Sequence, residues 1–270
     1  MRIDRVVLFG QSCSEGGAEA AAELAAHFEA ELAYLFLEDS NLLRLAELPL
    51  AAEIGMDTAC RRRLEPAAVE RALRALASHA EEAVSGLARR FRIPWSFQVL
   101  RGMPAEALSE AASATDLIFF LRSQSRVGIP TREEALAREI VSRSGAAVLY
   151  LSGESSIQPP IGVFSSGKPS ELPTLRLVAA LARDFPAKLV VLCSASGGEV
   201  PPDPEFRELL RDAPSSTLRS GIPPKAWPIL TAAAREGVGL LAISIGGSAL
   251  PPGEIESICS QAFCPILLLP

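Results

Sequence analysis

The residues best placed to bind an anion lie in the stretch DLIFFLRSQSRVGIPTREEALAREI, from Asp116 to Ile140. Asp116-Leu117-Ile118-Phe119-Phe120 has the continuous apolar character of a buried strand, and Thr131 to Val141 reads as a helix. A strand that feeds a loop opening a helix can hold a phosphate. The first N–H groups of a helix lack partners and sit at the positive end of its dipole. Arg122 and Arg126 could pair with such an anion, or both could be solvated loop arginines. Gly128 is the single glycine of the loop, and the helix opens with the carboxylates Glu133 and Glu134. Thr131-Arg132-Glu133-Glu134 also has the T-x-x-E form of a capping box. In that motif Thr131 accepts from the Glu134 N–H, and the Glu134 carboxylate accepts from the Thr131 N–H. The donors an anion needs are then spent inside the helix.

Other chemistry is sparse. SSGKPS (165–170) contains a Gly-Lys pair like a fragment of a phosphate loop. It lacks the leading glycine and places Pro169 where Ser or Thr would hold magnesium. Gly16-Gly17 suits the entry of a helix, and no GxGxxG accompanies it. Cys13, Cys60, Cys193, Cys259 and Cys264 are scattered, with no CxxC and no Cys/His cluster. His27 and His79 both sit in Ala-rich helical patterns. No metal centre and no Cys–His nucleophile is expected. Asp4 and Asp116 stand at strand starts, away from the C-terminal strand ends where α/β proteins bind ligands. No nucleophile converges with a base, so the expectation is no catalytic residue and no enzyme.

The composition bounds the class. A chain of 270 residues, 49% hydrophobic and 21% charged, suits one large or two small globular domains. A formal charge of -6 opposes nucleic-acid binding, which needs a basic footprint. No apolar run approaches the roughly 18 residues of a membrane span. The sequence enters a strand within about five residues, which leaves no room for a signal peptide and predicts a cytoplasmic protein.

An internal repeat organises the chain. RVVLFGQS (5–12) matches PIGVFSSG (160–167), and EGGAEAAAELAAHFEAELAYLFLED (15–39) matches SELPTLRLVAALARDFPAKLVVLCS (170–194). VLRGMPAEALSEAA (99–112) matches TLRSGIPPKAWPILTAA (217–233). DLIFFL (116–121) matches GLLAIS (239–244), and GAAVLYL (145–151) matches FCPILLLP (263–270). Continuously apolar strands alternating with helices predict a parallel sheet covered on both faces. Each repeat then forms a doubly wound α/β domain, residues 1–152 and 160–270, joined by a Ser/Gly/Pro-rich linker at 153–159. The first repeat carries a long helix at 64–91, whereas the proline-rich 195–214 allows only a shorter, later one. SNLLRLAELPLAAEIGM (40–56) is rich in leucine and isoleucine. It reads either as a lid over its own domain or as an exposed amphipathic helix that docks a partner. The closing strands AAVLYLS and PILLLP need cover, which pairing of the two halves would give.

The ordered set of RVVLFGQS, EAAAELAAHFEAELAYLFLED, RGMPAEALSEAASATDLIFF and AREIVSRSGAAVLYL resembles the universal stress protein family over nearly the whole chain. ESICSQAFCPILLLP matches the same closing elements in the second half. The resemblance implies two flavodoxin-like domains of the adenine nucleotide alpha hydrolase-like type in tandem, forming an intramolecular pseudo-dimer with a stress-linked role. Many members bind ATP through an acidic residue ending the first strand and a glycine motif after the fourth. Here the acidic position falls at Phe9 or Gly10 and at Ser165 or Ser166. The motif's first glycine falls at Leu121, the second at Gln124 or Ser125, and its Gly-Ser pair on Glu134-Ala135. In the second half that pair lands on Pro252-Gly253. A leucine where glycine should admit a phosphate obstructs its approach. The expectation is therefore a non-catalytic regulatory or interaction protein without a cofactor. The alternative is a sensor of ATP or AMP in a non-canonical pocket of the first half. The residues left to hold the nucleotide would be Gly10, Gln11, Arg122, Arg126, Gly128 and Thr131.

Overall fold

The computed structural model describes residues 3–11, 15–54, 61–122, 132–152, 157–194, 215–246 and 250–270, with Glu205, Glu208, Leu209 and Arg211. The chain packs as two compact units, Asp4–Ala111, and Met1–Ile3 with Ala112–Pro270.

The first unit runs β1 (Arg5–Gly10), α1 (Glu15–His27), β2 (Glu31–Asp39), α2 (Ser40–Glu47), β3 (Ala52–Ile54), β4 (Arg61–Arg63), α3 (Pro66–Phe91), β5 (Trp95–Gly102) and α4 (Pro104–Ala111). β2 lies between β1 and β5 and is parallel to both. Every residue from Leu32 to Leu37 is buried, as expected for a strand covered on both faces. Ala18, Ala21, Ala22 and Ala25 of α1 are buried, and side chains this small let the helix lie close to its neighbours. α3 buries Val69, Leu73, Ala77, Val84 and Ala88, a stripe at helical spacing. Pro66 opens it, where a missing N–H costs nothing, and Arg92 in the left-handed region ends it. The β3–β4 hairpin has no counterpart in the sequence reading. Three residues per strand, one of them RRR, carry too little apolar alternation to announce a sheet.

The second unit continues with β6 (Asp116–Arg122), α5 (Arg132–Ser144), β7 (Ala147–Ser152), β8 (Ile161–Ser165), α6 (Leu172–Asp184) and β9 (Leu189–Ser194). It closes with β10 (Ser216–Ile222), α7 (Ala226–Arg235), β11 (Leu240–Ser244), α8 (Pro252–Gln261) and β12 (Ile266–Leu269). Its strands follow the order β10-β9-β8-β11-β12-β7-β6. The second repeat supplies the five parallel strands from β10 to β12. β6 and β7, also parallel, come from the first repeat. Of the long 195–214 stretch, the four described residues are helical, in keeping with a late helix. Gly162 is required inside β8, because an added Cβ would stand 2.7 Å from Cγ1 of Val238.

The two closing strands cover each other. β7 and β12 pair antiparallel, with Ile266 opposite Tyr150, Leu267 opposite Leu149 and Leu268 opposite Val148. Arg138 of α5 donates to Glu256 of α8 at 3.2 Å beside them. This pairing explains why the packing boundary falls at Ala111/Ala112 while the sequence repeat ends near residue 152. β6, α5 and β7 belong to the first repeat by sequence, but β7 pairs with β12 and α5 packs on α8 and β12 of the second, and β6 follows through its pairing with β7.

Candidate functional site

In open α/β sheets, ligands settle at the C-terminal strand ends where the strand order reverses. In the second repeat that place lies between β8 and β11. β8 ends at Ser165, and the chain passes through Ser166 and Gly167 into the 3-10 turn Pro169–Glu171 that precedes α6. Gly167 has φ 78, a conformation that favours glycine, and it reverses the loop. The reversal brings the carboxylate of Glu171 back onto the end of β8. Ser165 Oγ donates to Glu171 Oε2 at 2.5 Å, and the Ser166 N–H donates to the same oxygen at 2.7 Å. Ser166 Oγ donates to Oε1 at 2.6 Å, and Ser165 Oγ accepts from the Gly167 N–H at 3.0 Å. Glu171 is 1% exposed and Ser165 fully buried. One backbone N–H and two hydroxyls thus converge on a negative charge, the donor set of an anion site, and charge-assisted bonds of this kind are the strong ones. The anion is the protein's own. Sequence reasoning found the SSGKPS loop but missed Glu171, because a contact five or six residues apart depends on the reversal at Gly167.

Cys193 of β9 stands opposite Ser165 in the β8–β9 ladder. Burial, and secondarily the charge of Glu171, push its thiol up to about 11. Burial likewise pushes Cys264 up to about 11. A raised pKa leaves almost no thiolate at neutral pH, and the thiolate is the nucleophile. Iodoacetamide at pH 8 is therefore expected to leave Cys193 and Cys264 unmodified in the folded protein and to label both once the chain is unfolded in about 6 M guanidinium. Peptide mass spectrometry reads the result; rapid native labelling of either would contradict it.

The sequence-predicted residues of the first repeat divide among three places. Gly10 ends β1 with φ 135, so its backbone conformation accounts for a glycine there, and Gln11 follows it. Both belong to the first unit, whereas Arg122, the last residue of β6, belongs to the second. Arg126, Gly128 and Thr131 lie outside the described residues, and with Thr131 goes the capping box. Its other member, Glu134, is 2% exposed in the first turn of α5. Asp116 is fully buried at the start of β6 and accepts from the Ser113 N–H at 2.8 Å, a turn-forming role. Among the described residues, no group of three His, Cys, Asp or Glu side chains could hold a metal ion.

A cleft of about 370 Å³ opens between α1 and α3, lined in part by Gln11, Glu15, Glu19, Tyr34, His79 and Arg90. Its guanidinium is already engaged, since Arg90 donates to Glu19 at 2.5 Å. With Glu15 beside it the lining is acidic, and a polyphosphate would meet repulsion there.

Of the 40–56 segment, the described residues 40–54 form neither a simple lid nor one helix. Asp39 caps α2 by accepting from the Asn41 N–H at 2.8 Å. Only Ala46 of the helix is buried. Leu45, Leu48, Leu50 and Ile54 are exposed by 49%, 55%, 87% and 68%, so the apolar side of this segment faces solvent.

No family model and no curated protein matches the sequence. Solved structures do match in fold. A universal stress protein from Archaeoglobus fulgidus DSM 4304 superposes with a TM-score of 0.70 at 13% identity, over 100% of this chain and 99% of that one. A protein described as a universal stress protein, from Pseudomonas aeruginosa UCBPP-PA14, gives 0.52 at 16% identity over 99% and 93%. The cytoplasmic domain of a prokaryotic cation chloride cotransporter gives 0.53 at 11% over 99% and 95%. With its parallel α/β architecture and this likeness along its whole length, the chain has the flavodoxin-like fold of universal stress proteins.

Proposed function

We propose that the protein is a tandem universal stress protein with a non-catalytic, stress-linked regulatory or interaction role, and that its nucleotide sites have been given up. The observation that carries this reading is the Glu171 carboxylate on Ser165 and Ser166, where a phosphate would otherwise find its donors. The missing glycine motif at Leu121 and the acidic lining of the α1–α3 cleft support it. The exposed leucines of α2 and the following loop supply a docking surface for a protein partner, and no helix among the described residues is long and apolar enough to cross a membrane. The cytoplasm is the setting this role requires.

Thermal melting with magnesium and ATP tests the reading. A ligand at 100 times its Kd adds about 2.7 kcal/mol, which for a domain of this size raises Tm by several degrees. The expected shift at millimolar ATP and fixed ionic strength is below about 1 °C, with phosphate release no faster than in a heat-denatured control. A saturable shift would install the sensor of ATP or AMP instead, with Gly10, Gln11, Arg122, Arg126, Gly128 and Thr131 as the residues to mutate.

A further inference from the structure

α7 and the end of α8 border a hollow of about 490 Å³ whose lining includes Trp227, Leu230, Thr231, Arg235, Gln261 and Phe263. Trp227 is 74% exposed and Phe263 49%. The fold does not require either ring, as the first repeat shows. Leu108 of α4 and Ile229 of α7 are matching, fully buried anchors. Two residues before them stand Glu106 in the first repeat and Trp227 in the second. Ala146 and Cys264 are likewise matching buried positions, preceded by Gly145 and by Phe263 respectively. The first repeat builds the same elements with Glu and Gly where the second carries two exposed aromatic rings. Arg235, at the end of α7, has no carboxylate partner among the described residues. The adjacent Glu236 is engaged by Arg219 and Lys188.

We propose that this hollow binds a small ligand with a flat apolar body and an anionic end, a carboxylate or sulfonate. The apolar body lies between Trp227 and Phe263 over Leu230, and the anion pairs with the Arg235 guanidinium, whose forked donors suit a carboxylate. Thr231 and Gln261 supply further hydrogen-bonding groups at the rim. The hollow falls within the roughly 300–1,000 Å³ of small-molecule sites. Aromatic surface with one charged group fixing orientation is the usual composition of such sites.

The chain has two tryptophans, so Trp95→Phe leaves Trp227 as the sole reporter. In that background, titration with 8-anilinonaphthalene-1-sulfonate is expected to quench tryptophan emission saturably while dye emission rises by energy transfer. Arg235→Gln, a change of an exposed side chain, is expected to raise the dissociation constant about tenfold, and Phe263→Gly at least as much. Uncharged Nile red should bind the Arg235→Gln variant and its parent alike. Circular dichroism melting of each variant confirms that the fold persists. Should Phe263→Gly unfold, Trp227→Glu, read by dye emission, replaces it. Dye binding without transfer from Trp227, or affinity unchanged by Arg235→Gln, overturns the proposal.

Discussion

Glu171→Ala is expected to lower the melting temperature by roughly 6–12 °C. The carboxylate accepts from Ser165 Oγ, the Ser166 N–H and Ser166 Oγ, all in or beside the buried end of β8. Removing it leaves three donors without an acceptor, each worth about 1–3 kcal/mol when stranded. Water entering the vacated space recovers part of that. A net cost of about 3 kcal/mol converts to the stated shift at roughly 2–4 °C per kcal/mol. Because the donor set suits any anion, the variant should regain stability in sulfate more than the parent does, compared with chloride at equal ionic strength. A melting change below about 1 °C would remove Glu171 from its role as internal anion. Loss of stability without sulfate rescue would keep it as a structural brace but not as a stand-in for phosphate.

Val148→Asp is expected to be more damaging still, at least about 3 kcal/mol, because an uncompensated charge would be buried. Val148 is fully buried and stands opposite Leu268, itself fully buried, in the antiparallel pairing of the closing strands. Urea unfolding of the variant should shift its midpoint to lower concentration. The physical point is that each closing strand is the other's cover. Cleavage of the chain between residues 153 and 156 should therefore leave two fragments that elute together in gel filtration, since β7 and β12 lie on opposite sides of the cut. Fragments that separate as well-behaved monomers would refute the pairing as a source of stability.

The elements were legible because their causes are local. Continuous apolar runs such as LAYLFL in β2 and LVVLC in β9 declare buried parallel strands, and all of these residues are buried. The alanine spacing of α1 and the stripe of α3 declare helices that pack on one side. The need to cover AAVLYLS and PILLLP was also visible, since unpaired apolar edges are costly. The β3–β4 hairpin was not, because three-residue strands leave no pattern to count. Neither did the sequence decide between a lid and a surface for residues 40–56. The same leucines serve either purpose, and only their exposure separates the two.

By itself, then, the sequence determined a repeated α/β chain with apolar strands and amphipathic helices, because periodicity and composition act over a few residues. Tertiary structure alone decided which groups meet. Glu171 reaches Ser165 and Ser166 only because the chain reverses at Gly167. Trp227 and Phe263, 36 residues apart in number, share one hollow only because α7 packs beside the end of α8. β6, α5 and β7 join the second repeat only because β7 finds β12. Such contacts depend on loop reversals and strand partners distant in sequence, and no local pattern of residues encodes them.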